Sequence, residues 1–226
     1  MTSCAKCAAQ ACYSGQLTAV PSNCPMKTTD VTDTRDIYAD PSIREMARVS
    51  ALIEATGYLR WTRVEETIEF ARRMGYTRLG LAFCVGLRRE AAMLTQIFEA
   101  NGLEVVSVAC KAGSIPKEEI GITDQEKVRP GSREAMCNPV GQARVMNSRE
   151  THLNVIFGLC VGHDTLFIKF SQAPVTCLVA KDRALAHNPI GAVYGSQGYF
   201  RKALYEAHNT NPPDAEKNRC DGLERC

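Results

Sequence analysis

Cys4 and Cys7 form a Cys-x2-Cys pair, Cys12 comes after four further residues, and Cys24, followed by Pro25, comes after eleven more, so four thiols fall within 21 residues. A Cys-x2-Cys loop lets two sulfurs converge on one ion while backbone amides point toward them, and two more thiolates complete a tetrahedral set. Zn2+ and a [4Fe–4S] cluster both accept such a set. Cys4, Cys7, Cys12 and Cys24 are therefore the expected metal ligands. The spacing leaves the choice of metal open, and the plain alternative, free thiols in an unstructured arm, fits this density poorly.

A second group is dispersed. Cys84, Cys110 and Cys160 each close an apolar run that reads as a strand, and Cys137 opens a helix after a long polar stretch. The carboxyl edge of an open parallel sheet is where ligands bind, so these four thiols, with His163 as acid, base or ligand, are the candidate catalytic set, or the ligands of a second metal centre. Gly86 and Gly162 let backbone amides approach a bound anion, and Lys111 supplies a cation, which makes these three the candidate cofactor-binding residues. Each has an ordinary counterpart. A Cys at a strand end is often a small buried hydrophobe, Lys111 a solvated charge, and Asp164 a helix cap beside an inert His163. Cys177, inside a strand, reads as packing, and Asn188-Pro189 as a helix cap and first turn.

The elements that must position these residues are legible as periodicity. Residues 1–40 show little of it and read as a ligand-held arm. Apolar residues recur at helical spacing from Pro41 to Leu59 and again after Thr62. The spacing then predicts strand 78–84, helix 87–101 stopped by Gly102, and strand 104–110. After the polar stretch 111–136, a lid or an unstructured excursion, come helix 138–151, strand 153–160, helix 164–170 and strand 175–180. Two strand-helix-strand units imply an α/β fold with a largely parallel sheet and helices on both faces. Both units run from a strand into Cys-Val-Gly and then a helix, by duplication or by two uses of one turn, with the same turn geometry expected. The expected organisation is a metal-bound arm at 1–40, an α/β domain at 41–207 and a flexible tail at 208–226 holding Cys220 and Cys226.

Composition narrows the function. Lys plus Arg number 27 against 25 for Asp plus Glu, a formal +2, which gives no electrostatic case for nucleic acid as a partner. No run approaches a membrane span and the start lacks the basic-then-apolar pattern of a secretory signal. A reducing cytoplasm is expected, where clustered Cys bind metal or do chemistry rather than pair.

The chain resembles a known family, the cysteine-rich proteins of anaerobic archaea and bacteria grouped as domain of unknown function 1847. The resemblance rests on the N-terminal Cys set with Cys24-Pro25, on Ala82-Phe-Cys-Val-Gly86, Val108-Ala-Cys-Lys111 and Cys137-Asn-Pro139, and on Leu159-Cys-Val-Gly-His-Asp164, Ala173-Pro-Val-Thr176 and His187-Asn-Pro189. It implies metal binding and an anaerobic setting, and carries no reaction. Two functions are expected to compete. One is an oxygen-sensitive redox or thiol-chemistry protein served by a small-molecule substrate or an electron-transfer protein. The other is a non-catalytic metal or metabolite sensor closed by structural zinc.

Overall fold

The structure is a computed structural model that describes residues 4–27, 29, 31 and 33–205. It forms two compact units, Met1–Arg60 and Trp61–Cys226. The tail residues 208–226, with Cys220 and Cys226, lie outside the described residues.

The first unit is a series of short 3-10 turns, one helical turn (α1, Ala11–Ser14) and a long helix (α2, Pro41–Gly57). Pro41 at the first position and Asp40 at the cap start α2: Oδ1 of Asp40 accepts from the amides of Ser42 at 2.9 Å and Ile43 at 3.2 Å, satisfying two of the donors a helix start leaves open.

The second unit begins with α3 (Arg63–Arg73), whose Thr62 and Glu65 make a reciprocal capping box. Four strands follow, β1 (Arg78–Phe83), β2 (Glu104–Ala109), β3 (Leu153–Leu159) and β4 (Val175–Ala180), interleaved with α4 (Arg88–Ala100), α5 (Pro139–Ser148) and α6 (His163–Phe170). All strand pairs are parallel and their order is β2-β1-β3-β4. Two short helices, α7 (Ile190–Tyr194) and α8 (Arg201–Tyr205), complete the described chain. Among the described residues no helix is long and apolar enough to cross a membrane.

Side-chain alternation divides the core into two layers. Leu79, Leu81, Val155 and Phe157 meet Ile68 and Ala71 of α3 and Ala91, Leu94 and Phe98 of α4. On the other face Ala82, Cys84, Cys110, Ile156 and Leu159 meet Ala143 and Met146 of α5 and Phe167 of α6, with Cys137 packed against them. Phe98 and Phe167 are fully buried; truncating either to Ala would cost about 3–5 kcal/mol.

Strand order explains which face each helix takes. The chain steps from β1 outward to β2, but from β2 across to β3 and on to β4, which is the opposite direction. Right-handed crossovers then put α4 on one face and α5 and α6 on the other. For the same reason the two Cys-Val-Gly turns, expected to share a geometry, differ. After β1, Val85–Leu87 forms a 3-10 turn into α4, whereas after β3 Gly162 takes φ 84 and leads directly into α6. The stretch 111–136 is neither unstructured nor a bare lid. Pro116 and Ala135 make an antiparallel bridge, Met136 donates to Ile115 O at 2.8 Å, and Lys127 binds Glu118 and Asp124 at 2.6 and 2.9 Å.

Three further expectations are corrected. Cys177 is exposed on the edge strand β4, not packed. The cap of α6 is Gly162, while Asp164 Oδ1 accepts from Thr165 N at 2.8 Å, inside the first turn. Asn188 makes no capping bond to α7; the turn before it is held by His187 Nδ1, which accepts from Asp182 N at 3.1 Å.

Candidate functional site

The winding direction reverses between β1 and β3, the place at whose carboxyl ends open α/β sheets bind ligands, and Cys84 and Cys160 are the first residues beyond those two strands. Cys110 follows β2, next to β1. Because Ala82, Cys84, Val108 and Cys110 lie on one face, the sulfurs of Cys84 and Cys110 project to the α5 side. Cys137, 27 positions after Cys110 in the chain, is brought there by Asn138. The Asn138 backbone N–H donates to Cys110 O at 2.7 Å, its Nδ2 to Ala112 O at 3.1 Å, and its Oδ1 caps α5 through Gly141 N at 2.8 Å. One side chain thus closes the long loop and starts the helix.

Cys84, Cys110 and Cys137 pack in one cluster beneath α5, and each acts on the ionisation of its neighbour, with Cys110 acting on both others. The Cys110 thiol brings Cys84 down to about 5 against the opposing effect of burial, helped by the Gly86 N–H and by the charge of Lys181. Cys110 likewise brings Cys137 down to about 5, again against burial, with Lys111 and His163 adding positive charge. Cys110 itself is pushed far up, first by Cys137 and then by Cys84, the two sulfurs to which its single proton is offered. Its sulfur also accepts from Val85 N at 3.3 Å. The three thiols thus push one another apart: Cys84 and Cys137 are shifted toward thiolate and Cys110 toward thiol.

Cys160 stands differently. Its sulfur accepts from Nη2 of Arg183 at 3.3 Å. That hydrogen bond, and the thiolates of Cys84 and Cys137, hold the Arg183 guanidinium above its ordinary range. Arg183 is a residue the sequence reading missed; it follows Lys181 by two places after β4, and a Lys-x-Arg run at a strand end was the available signal. Lys111, read as a solvated charge or an anion ligand, donates to Ala135 O beside Cys137. Gly86 directs its N–H at Cys84, and nothing lies within 4 Å of where a Cβ on Gly162 would stand.

Two buried polar atoms lack a hydrogen-bond partner among the described residues: Gln142 Oε1 and His163 Nδ1. Gln142 ties α5 to the thiol-bearing strands, giving Nε2 to Phe83 O at 3.2 Å and Val108 O at 2.6 Å. An unsatisfied buried acceptor costs about 1–3 kcal/mol, so each of the two atoms has unmet bonding capacity.

In the first unit Cys4, Cys7 and Cys24 line one pocket of about 340 Å3. The Cys7 N–H donates to Cys4 O at 3.0 Å, closing the Cys-x2-Cys turn. Cys12 is directed to Met26, Sγ to Sδ 3.2 Å. Among the described residues no three His, Cys, Asp or Glu side chains are arranged to hold a metal ion. In the second unit, Cys84 and Cys110 share one buried cluster, with Cys137 packed against it.

The model of a protein family of unknown function, DUF1847, matches residues 24–178, which span Cys24, Cys84, Cys110, Cys137 and Cys160. The chain belongs to this family. An uncharacterised protein of Methanocaldococcus jannaschii is similar to it, 42% identical over 203 residues that cover 90% of this chain and 98% of that protein. Membership in DUF1847 agrees with the resemblance seen in the motifs. The family match leaves out Cys4, Cys7 and Cys12, so the strand-end thiols and Cys24 fall within it and most of the arm does not.

Proposed function

We propose that the chain is a metal–thiolate protein of a reducing compartment, with its working centre at the carboxyl ends of β1 and β3 and a second centre in the N-terminal arm. The observation that carries this reading is the packing of Cys84, Cys110 and Cys137, from three separate segments, into one cluster beneath α5, with the Val85 N–H on Cys110 and the charges of Lys181 and Lys111 acting on Cys84 and Cys137. Cys84 and Cys137 are shifted toward thiolate, the form that binds metal, and Cys110 loses its proton on binding. Four thiolates around Zn2+ or a [4Fe–4S]2+ cluster carry a net charge of about −2, and Lys111, Lys181 and Arg183 offset it. Cys84, Cys110 and Cys137 supply three donors, and the fourth comes from Cys160 or His163. In the arm, Cys4, Cys7 and Cys24 share a pocket and Cys12 is the remaining thiol of the set.

Bound there, a cluster supplies one-electron transfer, and zinc supplies a fixed thiolate or Lewis-acid site. The chain's own residues hold the sulfurs, exclude water from Cys84 and Cys110, and present the Cys160 and Arg183 side to solvent. That open side suits a small substrate or an electron-transfer partner.

Anaerobic purification followed by metal and acid-labile sulfide analysis tests the reading. About four iron and four sulfide per centre identify a cluster, and about one zinc per centre favours the sensor or structural form. Absence of both metals, with no uptake on reconstitution, would sink it.

A further inference from the structure

Hydrogen bonds tie Cys110 to the backbone of both neighbouring cysteines. The N–H of the Cys84–Val85 peptide donates to the Cys110 sulfur at 3.3 Å, and the N–H of the Cys137–Asn138 peptide donates to the Cys110 carbonyl at 2.7 Å. Cys84 and Cys110 share a buried cluster against which Cys137 packs, and all three are free thiols.

The two pairs that include Cys110 differ in what holds them. Cys110 N donates to Phe83 O at 2.8 Å, one step beyond the register pair of Phe83 with Ala109, so Cys84 and Cys110 stand opposite each other on neighbouring parallel strands. Such strands are about 4.7–4.9 Å apart, more than the roughly 3.5–4.5 Å between Cβ atoms that a disulfide requires. Cys137 lies outside the ladder, just before α5, and can close on Cys110 without moving a strand. It is also half-buried, whereas Cys84 and Cys110 are 8% and 2% exposed, so an incoming molecule meets the Cys137 sulfur first.

We propose that Cys137 and Cys110 form a thiol–disulfide exchange site for low-molecular-weight disulfides, with Cys137 the attacking thiol and Cys110 the resolving one. The Cys137 thiolate attacks one sulfur of R–S–S–R, forming a Cys137–S–S–R mixed disulfide and releasing R–S−. The Cys110 thiolate then attacks the Cys137 sulfur, forming the Cys110–Cys137 disulfide and releasing the second R–S−. Two electrons pass from the protein thiols to the substrate, and the two thiol protons leave with two molecules of R–SH. In the reverse direction the Val85 N–H steadies the Cys110 thiolate as it departs. The exchange belongs to the metal-free chain and goes beyond the metal–thiolate reading, because the new bond takes two of the sulfurs a metal would use. Transient catalytic disulfides are the kind found in a reducing compartment.

The test treats the reduced full-length chain, freed of metal by a chelator, with glutathione disulfide and maps the linked peptides by mass spectrometry. Linkages among Cys4, Cys7, Cys12 and Cys24 are counted apart. The folded chain is expected to give the Cys110–Cys137 linkage as its main product outside the arm, and the chain unfolded in urea to lose that preference, a comparison that needs no substitution. Cys110→Ala is expected to lose the linkage and accumulate glutathione on Cys137, which a merely structural Cys110 would not produce; Cys84→Ala is expected to keep the linkage. A Cys84–Cys110 linkage as the main product, or Cys137 left without glutathione in Cys110→Ala, overturns the assignment. Metal uptake by the untreated reduced chain is measured in parallel. The linkage without uptake removes the metal–thiolate reading alone, and uptake without the linkage removes the exchange site alone.

Discussion

At the scale of single residues the row of three thiols behaves as one titrating unit. Cys137 is the member that is both partly exposed and strongly acidified, so it is the thiol on which the coupling can be read. In the metal-free chain its alkylation by iodoacetamide is expected to reach half its maximal rate near pH 5, where a free thiol would do so near about 8.5. Cys110→Ala removes the largest cause and Lys111→Met a smaller one, so both move the midpoint up, the first further. Mass-spectrometric rates across pH 4–9 check this, and a wild-type midpoint above about 8 would show that the three sulfurs do not share a proton. None of this coupling could be read from the sequence. The thiols were legible individually, Cys84 and Cys110 as strand-end cysteines and Cys137 as the start of a helix, but their packing together depends on strand order, and Arg183 on a loop that returns from the sheet's far edge.

At the scale of elements, Asn138 joins what sequence alone kept apart. The Cys-Asn-Pro run announced a helix start, and α5 begins there as the cap and proline require. What no local pattern contained is that the same Asn ties the loop back to Cys110 and Ala112. Asn138→Ala is expected to cost about 1–2 kcal/mol, the upper part of the range for a lost cap, and to release Cys137 from the row, so that its alkylation midpoint rises toward the ordinary thiol value. Denaturant unfolding combined with the alkylation profile separates the two effects; a loss of stability with no change at Cys137 would mean that the loop is held elsewhere. The strands themselves were nearly fully legible, β4 to the residue, because a parallel sheet covered on both faces concentrates apolar residues into short runs. The layers were not. Only the order β2-β1-β3-β4 decides that α4 lies opposite α5 and α6, and hence that Cys84, Cys110, Cys137 and His163 share one face while the turns after β1 and β3 differ.

At the scale of the whole molecule, buried thiolates link stability to pH in a direction that carboxylates alone do not give near neutrality. In the folded metal-free chain Cys84 and Cys137 ionise near 5, and in the unfolded chain near about 8.5. Between those values the unfolded chain binds more protons, so stability rises with pH across that window, is complete above the unfolded value, and is lost as pH falls through 5. Cys110 acts with the opposite sign: it stays protonated when folded and ionises when unfolded, so its contribution is present below about 8.5 and declines above it. Exposed carboxylates such as Asp40, held below its ordinary range first by the Ser42 hydroxyl and then by the Ile43 and Ser42 amides, and Glu65, held down by the Thr62 amide and hydroxyl, add a further decline only under more acid conditions. The thermal unfolding midpoint of the reduced, metal-free chain is therefore expected to climb from pH 5.5 to a maximum near about 8.5 and then fall. In Cys110→Ala the climb should shrink, since the thiol that stabilises both thiolates is gone. Scanning calorimetry under a phosphine reductant with a chelator present measures both curves. A flat wild-type profile between pH 5.5 and 8 would mean that Cys84 and Cys137 titrate alike in the folded and unfolded chains, and the strand-end row would then be three ordinary buried thiols.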